Sequence, residues 1–130
     1  MTTPFWCLLI ALLLPIVLAL AGGYFRVREF GVMDNKHPRQ QAAKLEGPGA
    51  RVYAAQANAW EALGMFTAAV AVAHMAGADP GRSATAALLF IGARILHPIV
   101  YVANVDWARS LTFFVAIGSC IWLFVLAAQA

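Results

Sequence analysis

The chain has 130 residues, of which 62% are hydrophobic and only 12% charged, with a net charge of +3 and a mean hydropathy of +0.75. Soluble domains carry about 25% charged residues, so this composition excludes an ordinary water-soluble globule and points to lipid as the medium. The basic residues are clustered and form no basic, aromatic-interleaved surface, which argues against a nucleic-acid partner.

At about 20 residues per crossing, four spans consume most of the chain as one membrane domain covering residues 1–130. Span one is expected from about Pro4 to Phe25, with Thr3 as N-cap, Pro4 at the first helical position and Pro15 as a mid-span kink. The run is too long for a signal-peptide core and lacks a basic start, so it reads as a retained helix. Residues 26–50 are the one long polar segment, a loop with room for a short helical piece. Span two is expected over 51–76, then a tight Gly-Asp-Pro turn, span three over 83–103, a short connection, and span four over 107–128. Cys7 and Cys120 sit in apolar runs without CxxC spacing or a nearby histidine set, which predicts inert buried thiols and no metal site.

Polar residues inside the spans carry the chemistry. On span two, Asn58 and Glu61 are i,i+3 neighbours on a stripe with Arg51, and Gln56 points to a different neighbour. On span three, Arg94, His97 and Tyr101 share one face, with Pro98 removing the amide that would bond the Arg94 carbonyl. Glu61 and Arg94 are opposite charges within apolar spans, and an isolated buried ion costs several kcal/mol. The economical expectation is that they face each other, with Asn58 completing the hydrogen bonding. Structural and functional roles both stay open: the pair as a register clamp, Asn58 as interhelical glue, His97 as a packed imidazole, Tyr101 as an interfacial belt residue. Arg109 lies in the first turn of span four, where the helix dipole is already positive, so an anion suits that place. The alternative is an arginine snorkelling to the interface.

The stretches "RVYAAQANAWEALGMF", "ARILHPIVY" and "DWARSL" together resemble the family of membrane-associated proteins in eicosanoid and glutathione metabolism. The resemblance covers spans two to four best. It implies an all-α four-helix bundle, a homotrimer, and glutathione as co-substrate between neighbouring subunits. It further implies that Gln56, Asn58 and Glu61 contact the tripeptide, with Arg51, Arg94 and His97 in the same binding set. Arg26 or Arg28 takes the place of a first-span arginine that meets a glutathione carboxylate. Tyr101 lines the site, and Arg109 stabilises the thiolate. The chain departs from the eukaryotic transferase pattern at Ala54, Ala62 and His97, positions where those enzymes carry arginine, tyrosine and tyrosine.

The resemblance implies a membrane-bound glutathione transferase or peroxidase acting on hydrophobic electrophiles or lipid hydroperoxides. Two other classes remain beside it: a non-catalytic lipid-binding or scaffold member of the family, and a small multidrug exporter, which also has four short spans and one membrane glutamate.

Orientation follows from the basic residues. Arg26, Arg28, Lys36, Arg39 and Lys44 lie in the first connection with Arg51 at its edge, whereas the second connection holds only Arg82. This predicts an inner-membrane protein of bacterial type with the first connection cytoplasmic and both termini periplasmic. A reporter fused after Ala130 should therefore be active only as a periplasmic fusion in a bacterial host. Cytoplasmic reporter activity would invert the topology.

Overall fold

The computed structural model describes all 130 residues and contains five helices. They are α1 (Thr3–Phe30), α2 (Pro38–Ala42), α3 (Gly47–Ala76), α4 (Pro80–Val102) and α5 (Asp106–Ala128). All but α2 are long and apolar enough to cross a membrane. A helix corresponds to each expected span, and α1 and α3 exceed theirs by the most. α1 runs on through Arg26 and Arg28 to a left-handed Gly31 at φ 77°, so those arginines are helical and not part of a loop. α3 starts at Gly47 because Pro48 sits in its first turn, where a missing amide costs nothing.

Helix starts and stops follow local chemistry. α3 ends at Gly77, left-handed at φ 76°, whose N–H bonds back to the Ala73 and His74 carbonyls. Asp79 then caps α4, its carboxylate accepting from the Arg82 amide at 2.7 Å. In the α1–α3 connection, Gln41 is the organiser: its Nε2 donates to the Val32 carbonyl at 2.8 Å, and its Oε1 accepts from the Asp34 amide at 3.0 Å. Asp34 in turn accepts from the His37 and Lys36 amides. The His37 amide bond is the main reason its carboxyl is held below the usual carboxylate range.

The bundle is inside-out by soluble standards. Leu13, Val17, Leu20, Leu96, Phe114 and Ile121 are all exposed, as lipid-facing side chains must be. The interior is built from small residues, which let helices approach where hydrophobicity gives no drive. On α3 these are Ala55, Ala59, Ala62, Ala69 and Ala73, and on α4 Ala86, Ala87 and Ala93. Phe66 and Phe90 stack between these two helices with ring centroids 3.8 Å apart and planes 6° from parallel. Cys7 and Cys120 are both buried and unbridged. On α1 the buried stripe runs Cys7, Ala11, Pro15, Leu18, Gly22, Arg26. Gly22 permits a close approach: a Cβ there would lie 2.7 Å from the ring of Tyr53.

A helix of 23 residues rises roughly 35 Å, enough for the hydrocarbon core. α1 and α3, with 28 and 30 residues, overshoot it. Their overhang and α2 make a polar collar at one end of the bundle. The other end carries both termini and the α3–α4 turn, where Arg82 reaches Gln129 at 3.4 Å.

Candidate functional site

Three polar ties converge on α4 near the collar. Arg94 is 2% exposed, and its Nη1 donates to Asn58 Oδ1 at 2.9 Å, fastening α4 to α3. His97, one turn on, pairs its Nδ1 with Thr112 Oγ1 at 2.9 Å, fastening α4 to α5. Arg51 Nε donates to the Val102 carbonyl at 2.9 Å and so caps the end of α4 from α3.

If the Thr112 hydroxyl gives its proton to a backbone carbonyl, the His97 tautomer follows. The Thr112 hydroxyl has one proton, and two carbonyls lie within its reach, Ala108 at 3.0 Å and Arg109 at 2.9 Å. With that proton given to a carbonyl, Thr112 Oγ1 must accept, so His97 carries its proton on Nδ1. Nε2 is then a bare acceptor, and it has no partner within the chain. Arg94 Nη2 likewise lacks one. A buried donor and a buried acceptor, three residues apart on one helix face, both stand unsatisfied.

Beyond His97 the ring of Tyr101 stands edge-on to the imidazole, with centroids 5.6 Å apart. The Arg109 guanidinium lies over the Tyr101 ring, 4.9 Å from its centroid. This cation–π contact joins two residues that the resemblance assigns to one site. Asn58, His97, Tyr101, Arg109, Ser110 and Phe113 line a cavity of about 210 Å³ on this face. A second pocket of about 10 Å³, room for one water, lies beside it, lined by Asn58, Arg94, Phe113 and Cys120.

The remaining expected residues lie elsewhere. Arg26 and Gln56 line a wide groove of about 700 Å³ on the α1–α3 side, together with Arg39, Tyr53 and Trp60. Arg26 is 8% exposed, touches Gln41 Oε1 at 3.4 Å, and leaves its Nε without a partner. Arg28 is exposed on the last turn of α1. Arg51 is spent on the Val102 clasp.

The Glu61–Arg94 ion pair does not form. Glu61 is exposed on the outside of α3, and Asn58 alone bonds the guanidinium. The reason is angular. At about 100° per residue, Glu61 lies about 60° to one side of Asn58 and Ala62 about 40° to the other. α3 buries the Ala62 side, with Ala55 and Ala59, which turns Glu61 outward. Sharing a stripe was therefore not sharing a neighbour.

Sequence reasoning missed Thr112, Ser110 and Phe113. Thr112 had a signal: it is a polar residue one turn after Arg109 in an otherwise apolar run.

Four membrane-length apolar helices enclosing a polar cluster at one end define an integral membrane protein of the four-helix-bundle class. The chain belongs to the MAPEG family, whose model matches residues 3–129. No curated protein and no solved structure matches the chain.

The geometry separates two roles that the sequence had joined. Asn58→Leu should destabilise the protein by about 1.5–3 kcal/mol, the range for hydrogen bonds to charged groups. Glu61→Gln should cost much less in thermal unfolding in detergent, because Glu61 holds no partner within the chain. Equal losses in both variants would restore Glu61 as a partner of Arg94.

Proposed function

We propose that the protein is a membrane-bound glutathione transferase or peroxidase acting on hydrophobic electrophiles or lipid hydroperoxides, with Arg109 stabilising the thiolate. Family membership supports this type of function in general terms. The observation that carries the finer reading is the Arg109 guanidinium at the rim of a polar cavity shared with Asn58, His97 and Tyr101. The multidrug-exporter alternative falls with the family assignment.

A free thiol has a pKa of about 8.5 and is mostly protonated at neutral pH. A guanidinium at a helix N-terminus favours the thiolate, which is the nucleophile. Arg109 sits in the first turn of α5, where the dipole adds to its own charge. The thiol proton leaves to solvent at the collar. The thiolate then attacks the electrophilic carbon of an acceptor from the bilayer, forming the C–S bond as the leaving group departs as an anion. Alternatively, it attacks the terminal oxygen of a hydroperoxide, breaking the O–O bond to give the sulfenic acid and an alkoxide that takes up a proton. A second glutathione thiol then displaces water to give the disulfide. The Tyr101 hydroxyl would serve as a hydrogen-bond donor to the sulfur or to the departing group, a reading supported by Tyr101 and Arg109 lining the same cavity.

A homotrimer completes the site in this reading. The Arg109 cavity, at about 210 Å³, is below the roughly 300–1,000 Å³ of a pocket that encloses a drug-sized ligand. The groove holding Arg26 and Gln56 is on another face of the same chain. Apposing one protomer's groove to the next protomer's cavity brings both sets onto one tripeptide, with Arg26 for a carboxylate and Asn58 for its amides. Glu61, exposed on α3, gains a polar neighbour instead of lipid. The collar, with most of the basic residues, faces the cytoplasm, where glutathione is available.

Native mass spectrometry from nanodiscs should give a trimer as the main species. A monomer with full activity would remove the shared site. Arg109→Ala should keep the fold and assembly and lower conjugation of a hydrophobic aryl electrophile by about 10²–10³ at neutral pH. Raising the pH toward about 8.5 should partly restore the rate, because solution chemistry then supplies thiolate. Arg109→Lys should retain part of the activity, keeping charge without the planar fork. Unchanged activity in Arg109→Ala would exclude the residue from the mechanism. Glutathione binding without any turnover would assign the protein to the non-catalytic members.

A further inference from the structure

The end of the bundle opposite Arg109 holds a separate cavity of about 270 Å³. It runs inward from the α3–α4 turn, between the first turns of α1 and α4, as far as Leu123. Phe5, Val70, Ala73 and Leu123 give it apolar walls, and His74 and Ser83 are its polar side chains within the helices. His74 stands edge-on to Phe5, with ring centroids 5.0 Å apart.

Ser83 is the unexplained group. It is 7% exposed, and its Oγ has no hydrogen-bond partner. Thr67, Thr85, Thr112 and Ser119 each turn their hydroxyl back to the carbonyl four residues earlier. Ser83 does not, although it lies on α4 like Thr85. A buried hydroxyl costs free energy unless something meets it, and the space beside this one is a cavity.

We propose that this cavity is a binding site for a small neutral amphiphile, an aliphatic alcohol or a phenol, with its hydroxyl on Ser83 Oγ and its hydrocarbon against Phe5, Val70 and Leu123. The head is neutral because the charges nearby are committed elsewhere: the Asp79 carboxylate caps α4, and Arg82 reaches Gln129. A hydroxyl head suits Ser83 because each can both donate and accept. The ligand is small because the volume is just under the range of drug-sized pockets. The mouth, at Thr2, Gly77 and Ala78, lies at the end of the bundle that carries both termini and the α3–α4 turn. Nothing in this site touches Arg109 or its cavity, so the inference stands or falls apart from the proposed activity.

The test is photolabelling of the full chain in phosphatidylcholine nanodiscs with a diazirine-bearing octanol, mapped by peptide mass spectrometry. Adducts should concentrate on the segment from Val70 to Ala78 and around Phe5. Excess 1-octanol should block them, whereas octane at the same membrane mole fraction should not. Ser83→Ala should weaken protection by octanol about five-fold, the loss expected for one net hydrogen bond. Ser83→Leu, which fills the cavity, should abolish site labelling. Thermal unfolding reports whether each variant is folded, and the octanol–octane comparison in the wild type decides the matter if a variant is not. Labelling spread over lipid-facing residues such as Leu13 and Leu20, or equal protection by octane, overturns the proposal. So does unchanged protection in folded Ser83→Ala, the result expected if octanol enters the cavity without bonding Ser83, and so does the absence of any protection by octanol in the wild type, the result expected if water alone occupies the cavity.

Discussion

A permanently charged guanidinium inside a bundle of apolar helices is the constraint around which the site end of this protein is arranged. Arg94 is 2% exposed, and its hydrogen-bond partner is a neutral amide. An amide offers a dipole where a carboxylate would offer a charge, so the desolvation cost of Arg94 is only partly offset. That asymmetry orients the helix. Arg94 must face the Asn58 edge of α3, and His97, one turn along, then faces Thr112 on α5. Tyr101, a further turn along, meets Arg109 at the mouth. α4 is thus the hub: each of these polar contacts, and the Arg51 clasp on Val102, has one end on it.

The placement follows from the solvent on each side. In hydrocarbon, apolar burial gives helices little reason to associate, and close approach between small residues replaces it. Alanines on α3 and α4 supply that approach through the middle and lower bundle, around the stacked Phe66 and Phe90. Toward the collar, long polar side chains join the small ones, and hydrogen bonds join the packing. Cavities lie at both ends, the Arg109 cavity toward the collar and the Ser83 cavity at the opposite end. The polar pocket thus sits at the collar end, beside an apolar interior.

Much of this was legible in sequence, and the rest was hidden for definite reasons. The four spans followed from apolar run length, which depends only on local composition. The shared face of Arg94, His97 and Tyr101 followed from helical spacing within one element. The end of α1 lies beyond the expected span because Arg26, Arg28 and Glu29 read as loop, whereas a helix leaving the bilayer carries charge freely; the start of α3 lies before it because Gly47-Pro48-Gly49 reads as a turn. The Glu61–Arg94 pair failed for a different reason. Periodicity fixes angles within a helix and says nothing of which arc its neighbour covers, and the buried alanines of α3 pulled that arc away from Glu61. The Arg109–Tyr101 contact and the Thr112 anchor join α4 to α5, so no single-helix pattern could announce them.

Glu61 carries the last step. A carboxylate exposed on an apolar helix is unfavourable against lipid, and intramembrane ionisable groups usually face protein or water. Within one chain Glu61 has neither a cation nor a buried neighbour. The same chain leaves Arg26 Nε, Arg94 Nη2 and His97 Nε2 without partners. Acceptors and donors are thus left over together, on faces that no further rotation of these helices could bring into register, since Asn58 and the alanine stripe already fix α3. Under the proposed threefold assembly, Glu61 is the group that a neighbouring protomer can reach, whereas the three nitrogens lie inside the protomer's own bundle, where water or a small polar group would have to enter to meet them. The cost of Glu61 against lipid would then favour a neighbour on that face of α3.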